Sequence, residues 1–287
     1  MINWRYIKKD TFSFKKVFYL LNKKLSLLRK VLPIAKLIIN NHITKYPKIV
    51  IDFEKNFGRY LDIKFALTFN NGTSAFESIL FALNLNKGDK VLMSNLTFSS
   101  VVFTCLQKDL DIKFLDFDSS LNVILPEDTN NNVKAIIVTH VFGIPQNISK
   151  IKEFATLNNL KIIEDCSHAH GAEYKGKKIG KFSDAAFFSL QGDKAISSGE
   201  GGIAVTDNKE IFNKMRLYSH FGRNMNDIES ANSYFKKYGF GKKGRMHPLA
   251  AGLASIDLKS LDKRNNMIDF LNTIYFSLFT SINKHLI

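Results

Sequence analysis

Only two cysteines and five prolines occur among the 287 residues. Cys105 and Cys166 lie in apolar or strand-end contexts without metal-ligand spacing, so they are expected to be reduced, buried thiols of a cytoplasmic protein. So little proline, with no low-complexity tract, leaves scant room for long disordered linkers. No uncharged apolar run approaches the roughly 20 residues that span a bilayer, and no secretory signal is evident. Acidic residues are also scarce, 26 against 41 Lys and Arg, which gives a net charge of +15. Lysine is spread along a chain rich in Lys, Asn, Ile and Phe, with no dense basic run or RNA-binding signature. The excess is therefore read as compositional, and no nucleic-acid partner is expected.

What is present is an ordinary globular composition, 45% hydrophobic and 23% charged, on a chain long enough to bury a sizeable core. Residues 1–45 form a basic N-terminal extension in which Phe12–Asn40 has the spacing of amphipathic helices. The segment is expected to pack on the main domain or on a second subunit; a weak membrane-surface contact is the other reading. From residue 46 to 248 short apolar strands recur at Phe65–Phe69, Lys90–Met93, Ile112–Leu115, Ala135–Thr139, Lys161–Glu164, Ala185–Ser189 and Ile203–Val205. Helices are expected at Ile49–Leu61, from Thr73 through Leu83, at Ser99–Lys108 and at Ser149–Leu157. This alternation predicts an α/β fold with a mostly parallel seven-stranded sheet flanked by helices, its ligands bound beyond the carboxyl ends of the strands. Residues 249–287 read as one long helix, running from Leu249 to about Phe279.

Four features fall at those strand ends. Gly72-Thr73-Ser74 follows a strand and opens a helix, where free N–H groups and hydroxyls can hold an anion; the same triplet is also an ordinary turn and N-cap. Asp165 ends an apolar run and is followed by His168, although most such aspartates cap turns or pair with lysines. Ser189 ends the strand that leads into Gln191-Gly192-Asp193-Lys194. Phe98 can stack on a planar ring, although packing is the default for any one of 25 phenylalanines. A lysine amine and a carboxylate at neighbouring strand ends are what a pyridoxal phosphate (PLP) enzyme requires. The amine forms a Schiff base, and the carboxylate keeps the ring nitrogen protonated.

The motifs Asn71-Gly72-Thr73-Ser74-Ala75, Leu96-Thr97-Phe98, Glu164-Asp165-Cys166-Ser167-His168-Ala169-His170-Gly171, Phe188-Ser189-Leu190-Gln191-Gly192-Asp193-Lys194, Gly199-Glu200-Gly201-Gly202 and Arg245-Met246-His247-Pro248-Leu249 occur in this order. Together they resemble the DegT/DnrJ-type sugar aminotransferases, PLP enzymes of the aspartate aminotransferase-like fold. The resemblance implies Lys194 as the Schiff-base lysine and Asp165 as the partner of the ring nitrogen. It implies Phe98 and His168 beside the ring, and Thr73, Ser74 and Ser189 at the phosphate. It further implies a homodimer that moves an amino group, typically from glutamate, to a keto group of a nucleotide-linked sugar for surface polysaccharides or secondary metabolites. Relatives with histidine at the position of Lys194 dehydrate sugars instead, so the lysine favours amino transfer.

Two departures accompany the likeness. Lys243 stands where many relatives carry an asparagine donated to the partner's phosphate site, and Gly244 where an aromatic is common. The resemblance also implies a small C-terminal domain after the long helix, and residues 249–287 are expected to hold only that helix. A truncated, inactive homologue that keeps the fold, with or without PLP binding, is therefore the alternative reading.

Overall fold

The computed structural model describes residues 31, 32, 35, 48–127, 129, 132–219 and 241–283. The chain divides into two units, residues 1–47 and 48–287. In the first, residues 31, 32 and 35 are helical; the remainder of the basic extension lies outside the described residues.

The second unit is built on a seven-stranded sheet. In chain order its elements are α1 (Lys48–Leu61), β1 (Phe65–Phe69), α2 (Gly72–Ala82), β2 (Lys90–Ser94), α3 (Ser99–Gln107), β3 (Asp111–Leu115) and β4 (Val133–Thr139). They are followed by α4 (Ile148–Leu157), β5 (Lys161–Asp165), a small hairpin of β6 (Glu173–Tyr174) and β7 (Lys177–Lys178), β8 (Ala185–Ser189), β9 (Gly202–Thr206) and α5 (Lys209–Ser219). Two helices, α6 (Pro248–Lys259) and α7 (Leu261–Asn283), complete it. The strand order is β1-β9-β8-β5-β4-β2-β3. Only β9 runs against its neighbours, pairing antiparallel with both β1 and β8. All seven strands expected from the sequence are present, each within two residues of its expected bounds.

Side-chain parity assigns the two faces, because successive residues of a strand point to opposite sides. Val91, Met93, Ala135, Ile137, Ile163, Ala185 and Phe187 pack with Phe76, Ile79 and Leu80 of α2 and with Ile211 and Met215 of α5. Leu92, Ile136, Val138 and Ile162 instead meet Ile151 and Phe154 of α4. On that second face the Phe188 ring meets Phe57 of α1 edge-on, with centroids 5.1 Å apart. Helices thus cover both faces, which is why central strands such as β9 are buried end to end and read as continuous apolar runs.

Two expectations need correction. The single helix from Leu249 is two, broken at Ser260, whose N–H and Oγ both bond to the Asp257 carbonyl. Serine competes in this way with helical bonding, so a run without glycine or proline can still turn. Helix α5 and the β6–β7 hairpin were not expected: α5 has a weakly apolar, lysine-bearing sequence, and each hairpin strand is only two residues long.

Candidate active site

The carboxyl ends of β1, β2, β4, β5 and β8 share one edge of the sheet, and a cavity of about 480 Å³ opens there. Thr73, Phe98, Asp165, His168, Ser189 and Lys194 all line it. Parity selects them: Asp165 shares a face with Ile163, and Ser189 with Phe187, both on the α2 side. Ser74 and Lys243 do not line the cavity. The Ser74 N–H is the group capped by Asn71 Oδ1, at 2.7 Å, and Lys243 is exposed on the segment leading to α6.

The start of α2 is pressed against the end of β8. A Cβ on Gly72 would stand 3.1 Å from Ser189 Cα, and one on Gly202 would run into the Asn71 carbonyl and come within 2.6 Å of Gly72 N. Glycine at both positions lets the first turn of a helix, with its free N–H groups, approach the Ser189 hydroxyl. That is an anion-binding arrangement.

Asp165 is buried, and burial pushes its carboxyl above the usual range. Hydrogen bonding from Ser167, whose N–H lies 3.0 Å from Oδ1, and the nearby His168 act in the other direction. It has no ion-pair partner among the described residues, so a cationic group entering the cavity would meet an uncompensated acid. Lys194 lies across the loop after β8. Its side chain is 15% exposed, and Asp193 Oδ1 stands 3.9 Å from its Nζ. Phe98 and Phe142 are 66% and 72% exposed at the rim.

Phe142 was missed by the sequence reasoning. It has φ +55°, a left-handed conformation that is uncommon for an aromatic residue and often marks functional sites. The signal available was Val141-Phe142-Gly143 directly after a strand whose carboxyl end faces the site. Glu164, the neighbour of Asp165, points to the opposite face. It is fully buried and accepts from His140 Nε2 at 3.1 Å, Gly180 N at 3.1 Å, Phe182 N at 3.0 Å and Ser183 Oγ at 2.7 Å. His140 Nδ1 in turn accepts from Gln146 N at 3.1 Å, which assigns the proton to Nε2 and leaves the ring neutral. The proximity of His140, Glu164 and Cys166 is thus part of a structural network, in which the first two already have protein partners.

His170 lies on the same side as Phe188, with ring centroids 5.4 Å apart, and its Nε2 has no hydrogen-bond partner among the described residues. Burial pushes its imidazole down to about 3, opposed by a hydrogen bond to the Ser189 backbone and assisted by the charge of Lys194. The unfolded chain, with an ordinary histidine near 6.5, then binds more protons than the folded one between those two values, so stability falls as pH falls through that window. The thermal midpoint is expected to drop on acidification from about pH 6.5 to about 4.5, and His170→Phe to flatten that drop. Equal slopes for the two proteins in a pH series of melts would refute the assignment.

Comparison with known proteins agrees with this geometry. GDP-perosamine synthase of Caulobacter vibrioides is 33% identical over 223 residues, which are 75% of this chain and 58% of that protein. The solved aminotransferase from Psychrobacter cryohalolentis superposes with a TM-score of 0.73 at 28% identity, covering 80% of this chain and 61% of the other. NtdA from Bacillus subtilis, solved with bound cofactor PMP (pyridoxamine phosphate), gives a TM-score of 0.72 at 25% identity, covering 82% and 53%. The chain spans less than two thirds of the length of these proteins. No helix among the described residues is long and apolar enough to cross a membrane. A family match over residues 30–287 takes in every strand of the sheet and every residue that lines the cavity, and the chain belongs to the DegT/DnrJ/EryC1/StrS aminotransferase family.

Proposed function

We propose that this chain is a PLP-dependent sugar aminotransferase. The observation that carries the reading is the convergence of a buried carboxyl with no ion-pair partner among the described residues (Asp165) and a largely buried amine (Lys194) on one cavity with a helix start and two hydroxyls (Thr73 and Ser189). The residues fit the cofactor: the volume lies within the ordinary range for small-molecule sites, and anion and cation partners stand in separate parts of it. When bound, PLP supplies an aldehyde that links to an amine and a ring that accepts electrons.

The chain's own contributions follow from chemistry. The free N–H groups at the start of α2, with the Thr73 and Ser189 hydroxyls, hold the phosphate. The Asp165 carboxylate holds a proton on the ring nitrogen. Phe98 and His168, which line the cavity, would stand beside the ring. Lys194 Nζ would supply the linking amine and, once freed, would take the proton from the α-carbon of the amino donor. Glutamate is proposed as donor, and a keto group of a nucleotide-linked sugar as acceptor, for a polysaccharide or secondary-metabolite sugar made in the cytoplasm.

A homodimer is proposed with it. The apolar side chains of Phe98 and Phe142 are exposed on the rim, and those of Phe103 and Leu106 on α3, a surface suited to a second copy. In this reading Lys243 serves the partner's cavity rather than its own.

The test is to incubate purified chain with PLP, ¹⁵N-glutamate and GDP-4-keto-6-deoxymannose or a UDP-linked keto sugar, and to follow label into the sugar by mass spectrometry. Labelled amino sugar is the expected product. Cofactor uptake without label transfer to any such acceptor would overturn the proposed activity in favour of an inactive homologue that keeps the fold.

A further inference from the structure

The loop that carries Lys194 is fastened at its base and again at its tip. At the base, the Leu190 N–H donates to the Gly201 carbonyl and the Ser198 N–H to the Leu190 carbonyl, both at 2.8 Å. At the tip, the Ser197 N–H donates to Asp257 Oδ2 at 3.0 Å, and Arg264 Nη2 donates to the Ala195 carbonyl. The two holding side chains also grip each other: Arg264 Nη1 lies 3.2 Å from Asp257 Oδ1, and Nη2 lies 3.1 Å from the Asp257 carbonyl. Asp257 is on α6 and 4% exposed; Arg264 is in the first turn of α7, just past the break at Ser260. The α6–α7 corner therefore takes one N–H and one C=O from the three residues that follow Lys194.

We infer that Asp257 and Arg264 are positioning residues for Lys194: a charge-paired clamp on the Ala195–Ser197 backbone that sets where the amine stands in the cavity. The inference rests on the role proposed for Lys194. Neither side chain lines the cavity, so neither is placed to touch the reacting atoms. A buried aspartate is expensive unless paired, and a helix corner needs only apolar contacts to hold together. Here the pair also bonds across 60 and 69 residues of sequence to the backbone beside one lysine. The guanidinium suits the task because its planar fork serves the carboxylate and a carbonyl at once, which a lysine ammonium does less well. A reactive amine on a loop gains its precision from such support, and a misplacement of about 1 Å can slow a reaction by as much as ~100-fold.

The test separates binding of the cofactor from linkage to it. Full-length chain, Arg264→Met, Asp257→Asn and Arg264→Lys are each mixed with PLP, quenched with sodium borohydride over time, and the Lys194 peptide is quantified by mass spectrometry. Affinity for pyridoxamine phosphate, which cannot link to an amine, is measured in parallel by equilibrium dialysis. We expect Arg264→Met and Asp257→Asn to label Lys194 about 10- to 100-fold more slowly while holding pyridoxamine phosphate nearly as well, and Arg264→Lys to regain part of the rate. A residue that merely supports the fold would move both quantities together. Labelling of both variants at the unmodified rate overturns the clamp and leaves the role of Lys194 standing. Absence of label from Lys194 in the unmodified chain overturns that role, and the clamp with it. Should the variants fail to fold, hydrogen exchange on the unmodified chain decides: the Ser197 amide is expected to be protected, and exchange at the rate of an open loop overturns the inference.

Discussion

Lys194→Ala is expected to end the proposed amino transfer, with a loss of about 10⁴-fold or more, because in that proposal one side chain is both the linking amine and the proton carrier. The fold should be little affected. The side chain reaches the cavity, and among the described residues its one ion-pair contact is to an exposed aspartate at 3.9 Å, a kind worth at most about 1 kcal/mol. A second variant makes the result specific. Lys194→Arg keeps the positive charge, but a guanidinium does not give up its proton in a protein, so it can neither link nor carry a proton. Both variants should melt within a few degrees of the unmodified chain, yet fail to yield a borohydride-fixed adduct on the peptide spanning residue 194. An adduct of unchanged yield on another lysine of the Ala variant would remove Lys194 from the site.

Much of this arrangement is legible in the sequence. The strands stand out because a sheet covered on both faces needs uninterrupted apolar runs, and Ala185–Phe188 or Ile203–Val205 cannot be placed otherwise. Thr73, Asp165, Ser189 and Lys194 then follow from a rule about where such sheets bind ligands. What stayed hidden depends on partners that sequence does not pair. Glu164 and Asp165 are adjacent acids, and nothing in their spacing tells which faces the cavity. Strand parity decides it, once Ile163 is known to pack on the α2 side and Ile162 on the α4 side. Two of the four partners of Glu164 are backbone amides, which no residue type announces. Asp257 and Arg264 hold backbone in the same way, behind a helix break carried by one serine in an otherwise helical stretch. Ser74 was assigned by position in a motif, and a motif does not record which N–H an asparagine caps.

The largest stability effect is expected at Glu164 rather than in the cavity. Its burial alone would raise its carboxyl, but the hydrogen bonds from His140, Ser183 and the Gly180 N–H outweigh that and hold it below the usual range. A carboxyl depressed in the folded state contributes stability that is present above the ordinary value near 4.3 and lost as pH falls through the folded value. The network therefore holds at neutral pH and loosens only in strong acid. Glu164→Ala leaves three donors facing a void, two main-chain N–H groups and an imidazole N–H, while the Ser183 hydroxyl keeps the Ala185 carbonyl as acceptor. With ~1–3 kcal/mol for each buried group left unmade, partly recovered by relaxation and water, the expected loss is on the order of 4 kcal/mol. In a domain of this size that is a fall in thermal midpoint of about 10 °C, measurable by calorimetry. Glu164→Gln should fall between, since its oxygen can still accept while its amide nitrogen presents a donor where another donor stands. The site would be affected through the backbone: the His140 N–H donates to the Asp165 carbonyl at 3.1 Å, so a displaced His140 pulls on the residue meant to hold the ring nitrogen. Cofactor retention should therefore weaken in Glu164→Ala even below its melting transition. A variant that melts early but binds as well as the unmodified chain would show that the network supports the fold alone.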